Sequence, residues 1–167
     1  MTDQPPAASP PTATQAPQAG QVPLTVKAQY IKDLSFENPR APHSLMQQKE
    51  PPEVQLGVDV KAQALGQDVY EVVLTISANA SSAGEAVFVA ELAYAAVVTV
   101  RNTPQTMLPN VLLVETPRLL FPFARGVIAT ATREGGFPPL LLHPVDFAEL
   151  LRRQQAAGQT TGPIATA

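Results

Sequence analysis

The chain has 167 residues, 45% of them apolar, a formal net charge of -3 and no cysteine. That length favours one domain with a core of its own. The mildly acidic balance argues against nucleic acid, which needs a clustered basic face, and the lack of cysteine excludes disulfides, thiol catalysis and cysteine-zinc sites.

Residues 1–22 are rich in Pro, Ala, Gln and Thr and carry Asp3 as their one charge. They predict a disordered tail, with too little apolar area to offset the entropy of ordering. They hold no basic stretch followed by an apolar run, so a cytoplasmic protein without an export signal is expected. No apolar run reaches the roughly 18 residues of a membrane span, so no membrane insertion is expected either. Residues 158–167 predict a second disordered tail, leaving residues 23–157 as the folded domain.

Four runs alternate with period two. Residues 24–36 put Leu24, Val26, Ala28, Tyr30, Leu34 and Phe36 on even positions, with Lys32 the exception. Residues 54–62 contribute Val54, Leu56, Val58, Val60 and Ala62, and residues 70–78 contribute Tyr70, Val72, Leu74, Ile76 and Ala78. Residues 86–100 contribute Phe88, Ala90, Leu92, Tyr94, Val98 and Val100. Each run therefore has one apolar face. Short links at 66–68 and 81–85 suit antiparallel hairpins. The link at 38–52 holds four prolines and predicts a crossover instead.

After Arg101 the period becomes helical. Thr103 before Pro104 predicts an N-cap, and residues 105–115 a short helix ended or kinked by Pro117. Leu119, Leu120, Phe123, Val127, Ile128 and Ala131 predict the sheet-facing stripe of the next helix. Phe121, Ala124 and Ile128 flank it as a further apolar side, for which a sister subunit is the expected cover. Gly135 and Gly136 end that helix. Residues 145–155 predict a last helix, with Asp146 and the pair Arg152 and Arg153 placed to suit its dipole. The fold class is α+β: a four-stranded antiparallel sheet with helices on one face.

Neither His43 nor His143 has an identifiable nucleophile or orienting carboxylate, and two distant histidines do not make a metal site. No enzyme, metal or cofactor is therefore expected. Asp33, Glu37, Glu71 and Glu91 occupy odd positions and should share the open sheet face, either as a solvated face or as a docking surface for a basic partner. The run GGFPPLLL at residues 135–142 has loop punctuation but no charge. It can cap the core or bind apolar partners, and Leu45 and Met46 add a second apolar segment in the crossover.

Several ordered motifs carry a resemblance: YIKDLSFE at 30–37, APH at 41–43, DVYEVVL at 68–74, LLFPFAR at 119–125, GFPPL at 136–140 and PVDF at 144–147. Over residues 30–151 the chain resembles the SecB protein-export chaperones, with the proline-rich tail outside the resemblance. The resemblance implies an ATP-independent holdase, assembled as a dimer of dimers, that binds unfolded precursors and delivers them to the ATPase SecA. It implies client grooves lined by Leu45, Met46, Phe137, Leu140 and Leu142, and SecA docking at Asp33, Glu37 and Glu91. It also implies that the helix around residues 119–133 lies between dimers. Where many relatives have a crossover aromatic, this chain has Lys49, Glu50, Pro51 and Pro52. The alternative is a small module holding a lipid-like molecule between helices and sheet.

Overall fold

The computed structural model describes residues 24–46 and 51–159. The expected tails thus lie outside the described residues, apart from Gln159 and its neighbour at the end of the last helix. Strands β1 (Leu24–Glu37), β2 (Glu53–Gly66), β3 (Val69–Ser82) and β4 (Glu85–Val100) form one antiparallel sheet in the order β1-β4-β3-β2. Strands β2 to β4 are a meander, and the crossover carries a short helix, α1 (His43–Met46). Both hairpin links turn through left-handed backbone, at Asp68 (φ 58°) and at Ala83 and Gly84 (φ 52° and 80°).

The even face of β3 and β4 is the core face. Val72, Leu74, Ile76, Ala90, Leu92, Ala96 and Val98 are all at most 1% exposed. Strand β1 obeys the same parity only at its ends. Two bulges, at Val26/Ala28 and Ile31/Asp33, shift its register against β4. Between them the parity inverts: Tyr30 pairs with Ala95 and Ile31 with Tyr94. Tyr30 therefore leaves the face expected for it and lies on the open one. Lys32, the exception in the alternation, is the extra residue of the second bulge.

The helical half is one nearly continuous rod. It comprises α2 (Leu108–Asn110), a π-helical turn (Val111–Glu115) and α3 (Thr116–Glu134). The expected cap at Thr103 is not formed. Its hydroxyl donates to the Arg101 carbonyl at 3.2 Å, and the rod starts after Met107 with Pro109 in its first turn. Pro117 does not break the rod, because the π-turn absorbs the lost donor: both the backbone N–H and the hydroxyl of Thr116 reach back to the Val111 carbonyl. At the far end Gly136 N–H bonds to Arg133 O (3.0 Å) and Phe137 N–H to Thr132 O (3.1 Å), a Schellman closure with Gly136 at φ 89°. Helix α4 (Phe147–Gln159) opens with Asp146 Oδ1 accepting from Glu149 N–H at 3.0 Å and runs four residues past the expected end at residue 155.

The stripe of α3 that meets the sheet differs from the expected one. Leu120, Phe121, Ala124, Ile128 and Thr132 are buried, whereas Leu119 (49%) and Phe123 (54%) are exposed. Both sides of the helix are apolar, so spacing identified two faces without showing which one the sheet covers.

Candidate functional site

Three surfaces remain after the core is filled. The first surrounds the loop after α3. Gly135 lies where a Cβ would come within 2.3 Å of the Phe36 ring, and a Cβ on Gly136 would meet Leu45 at 3.0 Å. The two glycines thus let the loop backbone press onto β1 and the crossover helix. Phe137 follows them into a cluster with Phe88 (ring centroids 5.0 Å apart) and Phe36 (6.3 Å). The buried Thr132 hydroxyl receives Leu140 N–H at 2.9 Å and donates to Ile128 O at 3.0 Å, which pins the loop to the helix.

Burial sorts the residues expected in the client groove. Leu45 (43% exposed) and Met46 (78%) face outward. Phe137 (5%) and Leu142 (3%) do not; they belong to the core, and Leu140 is half-buried beside them. The exposed leucine of the loop is Leu141, at 61%. Alternation past two prolines sends its side chain opposite to its neighbours, a signal that the motif itself did not flag. Residues 47–50 of the crossover, including Lys49 and Glu50, lie outside the described residues.

The second surface is the outer face of α3. Phe123 stacks on Tyr94 (centroids 6.4 Å, planes 5° apart), and with Ile31, Leu34 and Val127 it lines a groove of about 600 Å³. Phe121, Ala124 and Ile128, the residues expected at a subunit contact, are spent inside the subunit, where Phe121 packs edge-on against Phe147 at 6.0 Å. The space between helices and sheet is filled by Leu74, Ile76, Leu92, Leu120 and Ile128. That interior was the proposed seat of a lipid-like ligand, and side chains occupy it.

The third surface is the open sheet face. Asp33 pairs with Ala93, Glu37 with Val89, and Glu91 with both Ser35 and Ser77. Odd positions of β4 share one face, so the three exposed carboxylates stand together at the β1–β4 seam, as parity predicts. Among the described residues none of the three makes an ion pair. Glu71 shares the face but behaves differently. It is 5% exposed and accepts from Lys32 Nζ at 2.8 and 2.9 Å, from Gln63 Nε2 at 2.7 Å and from the Tyr30 hydroxyl. The Lys32 and Tyr30 hydrogen bonds hold its carboxyl below the usual range against the opposing effect of burial. The same bond to Glu71, with burial, raises the Tyr30 phenol.

His43 and His143 are both exposed, and among the described residues no group of three or more His, Cys, Asp or Glu is placed to hold a metal. No described helix is long and apolar enough to cross a membrane. Exposed apolar residues and bare carboxylates thus occupy separate surfaces of the molecule. The family model described as "Preprotein translocase subunit SecB" matches residues 17–158, reaching into the tail that the motifs left out. The Protein-export protein SecB of Bradyrhizobium diazoefficiens is 51% identical over 158 residues, covering 92% of this chain and 95% of that protein. That of Maricaulis maris is 50% identical over 163 residues, covering 98% and 92%. A solved SecB-like chaperone, Rv1957 of Mycobacterium tuberculosis in complex with a ChAD peptide from the HigA1 antitoxin, shares the fold with a TM-score of 0.62 at 15% identity, covering 73% of this chain and 90% of that one. The chain belongs to the SecB family of protein-export chaperones. It is accordingly a chaperone of protein export and not an enzyme.

Proposed function

We propose that the chain acts as an ATP-independent holdase in the cytoplasm, keeping unfolded precursors translocation-competent and handing them to SecA. The observation that carries this reading is the exposure of Leu45, Met46 and Leu141 on loops that are themselves anchored to the core. An unfolded segment laid across them buries apolar area at roughly 25 cal/mol per Å². A folded protein has no free apolar segment to offer, so it is passed over. Several such shallow sites in one assembly would act together on a long chain through effective concentration.

The assembly in this reading is a dimer of dimers, with Ile31, Leu34, Leu119 and Phe123 as the apolar face between subunits. Their exposure beside the stacked Tyr94–Phe123 pair supports it. SecA docks on Asp33, Glu37 and Glu91, which are exposed and, among the described residues, make no ion pair. The decisive experiment is suppression of aggregation of an unfolded precursor at stoichiometric chaperone without nucleotide. Suppression is expected, and its absence would refute the holdase. In parallel, Phe123→Asp should lower the mass seen by light scattering; an unchanged mass would remove this helix face from the subunit contact.

A further inference from the structure

The open face holds a fourth carboxylate that the docking reading does not use. Glu71 lies on β3, two strands from the edge strand β1, yet Tyr30 and Lys32 of β1 both reach it across β4. Tyr30 lies opposite Ala95 and Lys32 beside Ala93, whose single methyl groups leave room for the long side chains, while Val97 stands opposite Glu71. Gln63 of β2 closes the ring from the other side, so one carboxylate on β3 links both edge strands, β1 and β2.

The bulge at Ile31/Asp33 creates an electrostatic problem that this ring solves. An unbulged strand would send Lys32 and Asp33 to opposite faces. Here the two consecutive residues line the same cleft with Glu71, Val73 and Ala93. A lysine and an aspartate side by side on one exposed surface would pair with each other. Instead both carboxylate oxygens of Glu71 hold the Lys32 ammonium, and Lys32 makes no ion pair with Asp33.

We propose that Glu71 masks Lys32, holding its charge over β4 so that Asp33, Glu37 and Glu91 meet a basic partner as bare carboxylates. The inference rests on the docking reading above. Without Glu71, Lys32 would compete for Asp33 from within the same chain, at an effective concentration no partner side chain matches. It would also present a like charge to the approaching basic surface. Glu71 is thus a positioning residue for docking, acting through Lys32 and touching no partner itself.

Binding of purified SecA tests this, measured at low and high salt for the wild type, Glu71→Gln, the double variant Lys32→Gln with Glu71→Gln, and Asp33→Ala/Glu37→Ala/Glu91→Ala. Glutamine keeps the shape of Glu71 and its hydrogen bonding to Tyr30, and thermal melts confirm that each variant is folded. Glu71→Gln should weaken SecA binding roughly three- to tenfold at low salt, with the deficit shrinking as salt screens it. Removing the freed cation in the double variant should restore affinity to within about twofold of the wild type. A merely structural ring would leave the double variant at least as weak as the single one. That result, or an unchanged Glu71→Gln affinity while the triple alanine variant loses binding, overturns the masking alone. An unchanged triple alanine variant overturns the docking reading, and the masking with it.

Discussion

The two faces of the sheet differ in cover and in charge, and under the proposed function that difference separates two kinds of binding. The helix face carries Leu74, Ile76, Leu92 and Phe88 and is sealed by α3 and the loop at residues 135–142. Its surplus apolar groups spill over the rim as Leu45, Met46 and Leu141. The open face mixes Ala93, Ala95, Ser77 and Thr75 with Val73, Val89 and Val97, and the carboxylates stand among them. Under the proposed function, one side recognises by area, without direction and without charge. The other would recognise by charge, with register fixed by the strands.

The largest effect should come from exchanging anchor and contact within one loop. Phe137→Ala removes a ring from the cluster with Phe36 and Phe88 and should cost about 3–5 kcal/mol of stability, read from urea denaturation. Leu141→Ala, four residues on, should change stability by no more than about 0.5 kcal/mol. Equal losses at the two positions would show that the loop is not divided between core and surface.

The next effect lies on the open face and depends on pH. Glu71 has a carboxyl held low by Lys32 and Tyr30, so its folded form binds its proton less readily than the unfolded chain does. Its contribution is therefore fully present above the ordinary carboxylate range and is lost as the pH falls through the lowered folded value. Glu71→Ala should cost about 1–3 kcal/mol near neutral pH and progressively less in acid. Urea midpoints measured across the acidic range decide it: parallel curves for wild type and variant would deny the ring any pH-dependent role.

A smaller effect is expected at the rim. Leu45→Ser combined with Leu141→Ser should weaken an unfolded client by about 1–2 kcal/mol, roughly five- to thirtyfold, with stability nearly unchanged. Titration of a fluorescently labelled unfolded precursor reads this directly. Wild-type affinity in the pair would move client binding elsewhere on the molecule.

The strands were legible because each run alternates and each hairpin link is short. The acidic face was legible for the same reason: Asp33, Glu37 and Glu91 sit at odd positions, and the bulges of β1 cancel before Asp33 is reached. What parity could not show was the inverted stretch between the bulges, where Tyr30 turns to the open face and Ile31 to the helix face. A bulge is a backbone choice with no fixed residue signature, although Lys32 in an apolar slot was its trace. The helix α3 failed differently. Leu119 and Phe123 lie on one apolar side and Phe121 and Ala124 on another, and tertiary packing alone chose between them. The family motifs could mark Phe137 and Leu142 as important, yet importance for packing and importance for binding leave the same mark in a single sequence.

Ionic strength gives the smallest effect and the cleanest separation of the two faces. Exposed unpaired carboxylates are screened once the Debye length falls below the contact distances, from roughly 10 Å at 0.1 M to about 3 Å at 1 M salt. Glu91→Gln alone should weaken SecA binding by about 0.2–1 kcal/mol at low salt, and that difference should vanish at high salt. Client affinity at Leu45, Met46 and Leu141 should hold or rise over the same range, because salt does not screen apolar burial. Binding assays run on one preparation across a salt series therefore give two curves of opposite slope. If client and SecA affinities fall together, the two faces are not independent, and a single charged surface must serve both partners.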